Sequence, residues 1–168
     1  MIVVSDTTPI ISLLKANCLE LLKNLYGQVL IPESVYRELT ENSAYVKEAE
    51  IVRAADFLQV AAIENKKSMH VLMCVSGLDA GESEALIMYD ERKADLLLMD
   101  EHKGRIVAKK RNVRFIGTAG LLMLAYDKGF LKPEGVKECL KIMLDSGIRL
   151  DKKICNTVLK YIGLEAMY

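Results

Sequence analysis

Short apolar runs four or five residues long alternate along this chain with longer stretches in which apolar side chains recur every three or four positions. The first pattern predicts buried strands and the second amphipathic helices. Ile2 to Ser5 is the first predicted strand; Thr8-Pro9 then supplies a capping hydroxyl and a helix-opening proline, starting a helix through about Leu25 that Gly27 closes. Gln28 to Ile31 is the second strand, and Pro32 with Glu33 begins a helix carrying Val35 and Leu39 on one face. A helix over Ala44 to Ala55 precedes an edge strand in Phe57 to Ile63 and a polar loop over Asn65 to Ser68. Asp79-Ala80-Gly81-Glu82 opens a helix to about Lys93, followed by a strand over Asp95 to Met99, a helix over His102 to Arg111 and a strand over Val113 to Ile116. Gly117-Thr118 starts a helix ending near Gly129, and the chain from Lys132 reads as two helices broken at Ser146-Gly147. Strands alternating with helices predict an α/β fold of βαβ units, with a mostly parallel central sheet covered on both faces and a C-terminal helical extension over about 132–168.

Composition narrows the class. At 168 residues and 51% hydrophobic content, the chain fits one compact domain over 1–168 that buries roughly 70% of its unfolded surface. Apolar runs such as Leu121 to Tyr126 are too short to cross a bilayer, and Met1 leads into a strand without a basic n-region, so a cytoplasmic protein with no membrane contact is expected. Balance between 23 basic and 23 acidic residues argues against a general electrostatic coat on nucleic acid. Any such contact is local. Lys103, Arg105, Lys109, Lys110, Arg111 and Arg114 form the densest basic stretch, which also fits a solvated helix face. Cys18, Cys74, Cys139 and Cys155 show no C-x-x-C pair and sit in apolar surroundings, which predicts reduced, mostly buried thiols rather than a disulfide frame or zinc site. His70 and His102 are too far apart for a local ligand pair and are expected on the surface.

The chemistry lies in the acids. Asp6 closes the run Ile2-Val3-Val4 and Asp100 closes Leu96-Leu97-Leu98-Met99; a charge ending a buried strand needs a partner or a job. Ligands of open α/β sheets gather beyond the carboxyl ends of the strands. That excludes Asp95, which brackets the same strand as Asp100 from roughly 16 Å away at about 3.3 Å per residue. Asp6 alternatively caps the next helix, Glu82 with Asp79 forms a D-x-x-E capping box, and Glu38 borders a helix face where Glu33 and Glu41 compete with it. Ser5, Thr7 and Thr118 are candidates to orient the carboxylates, with turn and capping roles as the alternative.

Val3-Val4-Ser5-Asp6-Thr7-Thr8-Pro9, Val35-Tyr36-Arg37-Glu38-Leu39, Gly81-Glu82-Ser83-Glu84-Ala85-Leu86 and Leu98-Met99-Asp100-Glu101 occur in this order over nearly the whole chain. The sequence thereby resembles PIN-domain proteins, which are metal-dependent ribonucleases of three-layer α/β/α architecture. Asp100-Glu101-His102-Lys103-Gly104-Arg105, then Gly117-Thr118 and a tail containing Gly147-Ile148-Arg149, look like a prokaryotic PIN-like branch. The resemblance implies Asp6, Glu38, Glu82 and Asp100 as catalytic acids, with Asp6, Glu82 and Asp100 as metal ligands. Glu101 stands where the branch often has a second aspartate, and Glu82 where the family commonly has aspartate. Many PIN domains are toxins paired with a small antitoxin, which implies an RNA substrate, an antitoxin partner and a homodimer.

Carboxylate ligands suit Mg²⁺ or Mn²⁺, which would activate a water for attack on phosphorus and offset the developing charge. Thr7, Glu101 and Thr118 are auxiliary candidates, and Lys103 and Arg105 candidates to steady a phosphate. Two doubly wound rivals lack their acids: a receiver needs an acid pair where Ser5-Asp6 stands, and a haloacid-dehalogenase-like phosphatase needs an acid at Thr8. No glycine fingerprint follows the first strand, against a dinucleotide-binding domain. The remaining alternative is a PIN-like interaction module that no longer cleaves RNA.

Overall fold

The computed structural model describes residues 1–166; the last two positions of the expected extension, Met167 and Tyr168, lie outside the described residues. Five parallel strands, β1 (Val3–Ser5), β2 (Val29–Pro32), β3 (Leu58–Ala61), β4 (Leu96–Leu98) and β5 (Phe115–Ile116), form a sheet of order β3-β2-β1-β4-β5. Strand order reverses at β1, so the crevice beyond the ends of β1 and β4 is the place where such a sheet collects ligands. Asp6 and Asp100 both follow strands that border it.

Side-chain alternation divides the core in two. Val3, Val29, Ile31 and Leu98 point into one apolar cluster, whereas Val4, Leu97 and Met99 point into the other. The first is covered by α1 (Thr7–Lys15), α2 (Leu21–Tyr26), α3 (Glu33–Thr40), α4 (Val46–Ala54), α8 (Thr118–Asp127), α9 (Pro133–Asp145) and α10 (Lys152–Tyr161). The second is covered by α5 (Lys66–Ser76), α6 (Ala80–Glu91) and α7 (His102–Lys110). The result is a three-layer α/β/α sandwich. No helix among the described residues is long and apolar enough to cross a membrane.

Three expectations need correction. The first helix begins at Thr7 with Asp6 at the N-cap position, so Thr8 is not its cap and Pro9 is its third residue. The single helix expected from Thr8 to Leu25 is α1 and α2, separated by a Schellman turn in which Asn17 takes φ +52° and the N–H groups of Asn17 and Cys18 reach the carbonyls of Leu14 and Leu13. The same motif ends α6 at Lys93 and α7 at Asn112, so asparagine or lysine in the left-handed region substitutes for the expected glycine. The loop expected over Asn65 to Ser68 is instead the start of α5, capped by the Asn65 side chain on the Ser68 N–H and closed by Gly77 at φ +68°. Met69 of α5 is buried, and Leu72 and Met73 are half-buried on the same face against the second cluster, while Val71 and Val75 are exposed. Apolar residues on both faces blur the helical period.

Val136, Leu140 and Met143 of α9 and Cys155, Val158 and Leu159 of α10 are at most 1% exposed and belong to the first cluster. The apolar stripe of the C-terminal extension is therefore core, with Ile142 half-buried beside it.

Candidate active site

Asp6 is carried one residue beyond β1, where its backbone N–H still pairs with the Leu98 carbonyl of β4 at 3.0 Å. This continued pairing buries the side chain, which is 3% exposed and makes no capping bond to α1. Burial pushes its pKa up to about 8; the charges of Asp79, Glu82 and Glu38 add to the rise and the backbone N–H of Thr7 opposes it.

Glu38 comes from α3 and Glu82 from the first turn of α6. Both elements are fixed by a buried carboxylate that sequence reasoning missed as a structural part: Glu84 of α6 accepts the Ser34 N–H at 3.0 Å and the Ser34 hydroxyl at 2.7 Å. An acid at the N-terminus of α3 satisfies donors the helix leaves free, and it locks α6 to α3. Thr7 then donates its hydroxyl to Glu38 Oε2 at 2.6 Å. Glu38 is exposed as a residue; partial desolvation of its carboxylate raises its pKa, the Thr7 bond lowers it, and Asp79 raises it again.

Glu82 is 6% exposed. Its Oε2 accepts the Asp79 N–H at 3.0 Å while Asp79 Oδ1 accepts the Glu82 N–H at 2.8 Å, so the capping-box alternative is real. It does not exhaust the residue. Burial is the largest cause raising the Glu82 pKa, opposed by the bond from the Asp79 N–H; Asp79 and Glu101 raise it and Lys103 lowers it.

Gly81 defines where the acids meet. A methyl group at its Cα would sit 3.2 Å from Glu38 Oε1 and 3.5 Å from both Asp6 Oδ1 and Asp79 Oδ1. Three carboxylates from three elements thus face one point, and glycine there leaves the space between them open. Asp79 is a member that the sequence reading treated only as a cap; the sole signal for it was the D-x-x-E spacing, which explains the residue without any site.

Asp100 is placed differently. Its Oδ1 accepts the Thr118 N–H at 2.8 Å, its Oδ2 the Thr118 hydroxyl at 2.5 Å, and Arg105 Nη2 lies 3.5 Å from Oδ1. Arg105 is itself held by its Nε donating to the Met99 carbonyl at 2.9 Å and by the Phe115 ring at 5.8 Å. Gly117 makes this possible, since a methyl there would lie 1.8 Å from Arg105 Nη2 and 2.6 Å from Asp100 Oδ1.

The structure therefore brings Glu38, Glu82 and Asp79 each within electrostatic reach of Asp6, with Asp100 at the neighbouring strand end but turned onto α8 and Arg105. Among the described residues no three acids, histidines or cysteines are drawn together at metal-ligating distance. Glu101 is exposed and accepts a long 3.4 Å bond from the Thr8 hydroxyl; Lys103 is exposed beside it. Ser5 bonds the Asp6 carbonyl at 2.8 Å rather than a carboxylate. Asp95 is at the opposite end of β4, accepting the Ile2 N–H at 2.6 Å. Glu33, Glu41, His70 and His102 are exposed.

An all-oxygen donor set with a buried carboxylate and no ion pair to Asp6 among the described residues suits a hard divalent cation. The sequence model described as PIN domain matches residues 2–164. No curated protein and no solved structure matches the chain.

Proposed function

Because the chain belongs to the PIN-domain family, whose members are in general nucleases, we propose that it is a metal-dependent ribonuclease hydrolysing RNA phosphodiester bonds. The observation that carries this reading is Asp6, buried and raised in pKa, which shares the open space at Gly81 with Glu38 and Asp79 and feels the charge of Glu82. Such an arrangement costs stability as it stands, and a dication is what would offset it.

Asp6, Glu38 and Glu82 would hold Mg²⁺ or Mn²⁺ with Asp79 beside them, and Asp100 would complete the set from β4. The bound ion would supply an activated water and charge stabilisation at the phosphoryl group. Thr7 orients Glu38, and Thr118 orients Asp100. Arg105 would steady a phosphate: its guanidinium, 3.5 Å from Asp100, presents the planar fork of donors that phosphate oxygens accept. Lys103 stands on the same rim.

The test is cleavage of single-stranded RNA with Mn²⁺, expected for the wild type and absent in Asp6→Asn and Asp100→Asn. Unchanged turnover in either variant sinks the reading. The likeness to toxin ribonucleases extends it to a cytoplasmic homodimeric toxin restrained by a small antitoxin; growth arrest on expression that no co-expressed neighbouring small protein relieves would remove that extension.

A second reading, an interaction module without catalysis, is favoured by one observation: both Asp100 oxygens are occupied by Thr118 and Arg105. Melting with and without Mn²⁺ separates the two, because only a working site gains stability from the ion.

A further inference from the structure

Cys18 and Cys139 are 121 positions apart in sequence, yet their sulfurs lie 3.8 Å apart. Both are free thiols, Cys18 half-buried and Cys139 buried, whereas Cys74 is exposed on α5 and Cys155 is buried in α10. The four thiols are free as expected, and Cys74 is the exposed exception to their burial. Neither partner is loosely placed. Cys18 belongs to the Schellman turn between α1 and α2, its N–H fixed on the Leu13 carbonyl at 2.9 Å, and Cys139 lies within α9 on the apolar cluster that α1 also covers. A disulfide bond is about 2.05 Å long, so the two sulfurs are in contact and unbonded.

The two thiols share one contact, and the half-buried Cys18 gives the pair its opening toward solvent. A small oxidant that reaches one sulfur finds the other 3.8 Å away to resolve the product.

We propose that Cys18 and Cys139 are a peroxide-reactive dithiol, a covalent modification site separate from the acidic centre, which closes to an intramolecular disulfide. One thiolate of the pair attacks a peroxide oxygen; the O–O bond breaks, that cysteine becomes a sulfenic acid, and the released hydroxide takes the thiol proton to leave as water. The second sulfur then attacks the sulfenic sulfur, forming the S–S bond and displacing hydroxide, which leaves as water with the second thiol's proton. Two thiols lose two electrons and two protons, and one hydrogen peroxide becomes two waters. The new bond ties the turn behind α1, the helix that starts at Asp6, to the C-terminal helical layer. This inference does not depend on the nuclease reading.

The experiment uses the full chain carrying Cys74→Ser, which removes the exposed thiol and with it crosslinking between molecules. Stoichiometric hydrogen peroxide should lower the intact mass by two hydrogens, leave Cys155 as the one titratable thiol after denaturation, and join the Cys18 and Cys139 peptides in a digest. The melting temperature should rise by several degrees, since closing a long loop restricts the unfolded chain, and dithiothreitol should reverse it. Adding Cys18→Ser should abolish the link and the shift, whereas adding Cys155→Ser should change neither. Sulfinic acid at either Cys18 or Cys139 without a link, a link through Cys155, or an unmoved melting temperature in the linked protein would each overturn the proposal.

Discussion

Asp6 concentrates the conflict between folding and the proposed chemistry. Its pKa rises from an ordinary 3.8 to about 8 in the folded protein, so between those values the native state binds a proton the unfolded chain has given up. Stability is full below about pH 4 and falls as pH rises through 8. A buried group shifted this far is worth on the order of a few kcal/mol. Asp6→Asn removes the titration, and we expect metal-free urea melts to show the variant at least as stable as the wild type, with a gap that widens from pH 5 to pH 8. A constant gap would mean that Asp6 ionises as it does in water. Mn²⁺ binding should weaken as pH drops below 8, because protons compete for the same carboxylate. Gly81→Ala tests the space itself: a helix gains about 0.5–1 kcal/mol from alanine, but the methyl would sit 3.2 Å from Glu38 Oε1. The variant should fold normally and lose much of the Mn²⁺-induced rise in melting temperature; full retention would show that the ion binds elsewhere.

For elements, the informative one is α6, whose N-terminus serves as cap and as acidic wall. Asp79→Ala removes the side-chain acceptor for the Glu82 N–H and should cost about 1 kcal/mol. Asp79→Ser keeps an acceptor while deleting a charge that raises the pKa of Asp6, Glu38 and Glu82. Equilibrium unfolding at pH 8 should therefore rank serine at or above wild type and alanine below it. If both variants lose equally, the carboxylate acts in this helix only as a cap. The Glu84–Ser34 bonds explain why α3 and α6 can hold Glu38 and Glu82 toward Asp6 at all.

At the scale of the molecule, the C-terminal layer is part of the core rather than an appendage. Val136, Leu140, Met143, Cys155 and Leu159 share one cluster with Val3, Ile10 and Leu122. Removing each buried aliphatic side chain costs a few kcal/mol, and net stabilities are only about 5–15 kcal/mol. Truncation after Leu131 should abolish cooperative thermal unfolding, as read by circular dichroism; a truncated chain with a sharp transition would show that the first 131 residues hold a sufficient core.

The order of strands and helices was legible from the chain because period and caps are local. Val3 and Val4 alternate between two cores, Asp79 and Glu82 mark a helix start, and an acid after a buried run marks a strand end that faces the crevice. The break at Asn17 and helix α5 escaped because one depends on a left-handed asparagine and the other carries apolar Val71 and Val75 on its exposed face, which blurs its period. Which acids face one another was decided only in three dimensions. Thr7 reaches Glu38 across 31 positions, Thr118 turns Asp100 aside across 18, and Cys18 meets Cys139 across 121. Periodicity reports which face of an element is buried; it carries no record of which distant side chain shares that face, and that choice belongs to the packing of the whole.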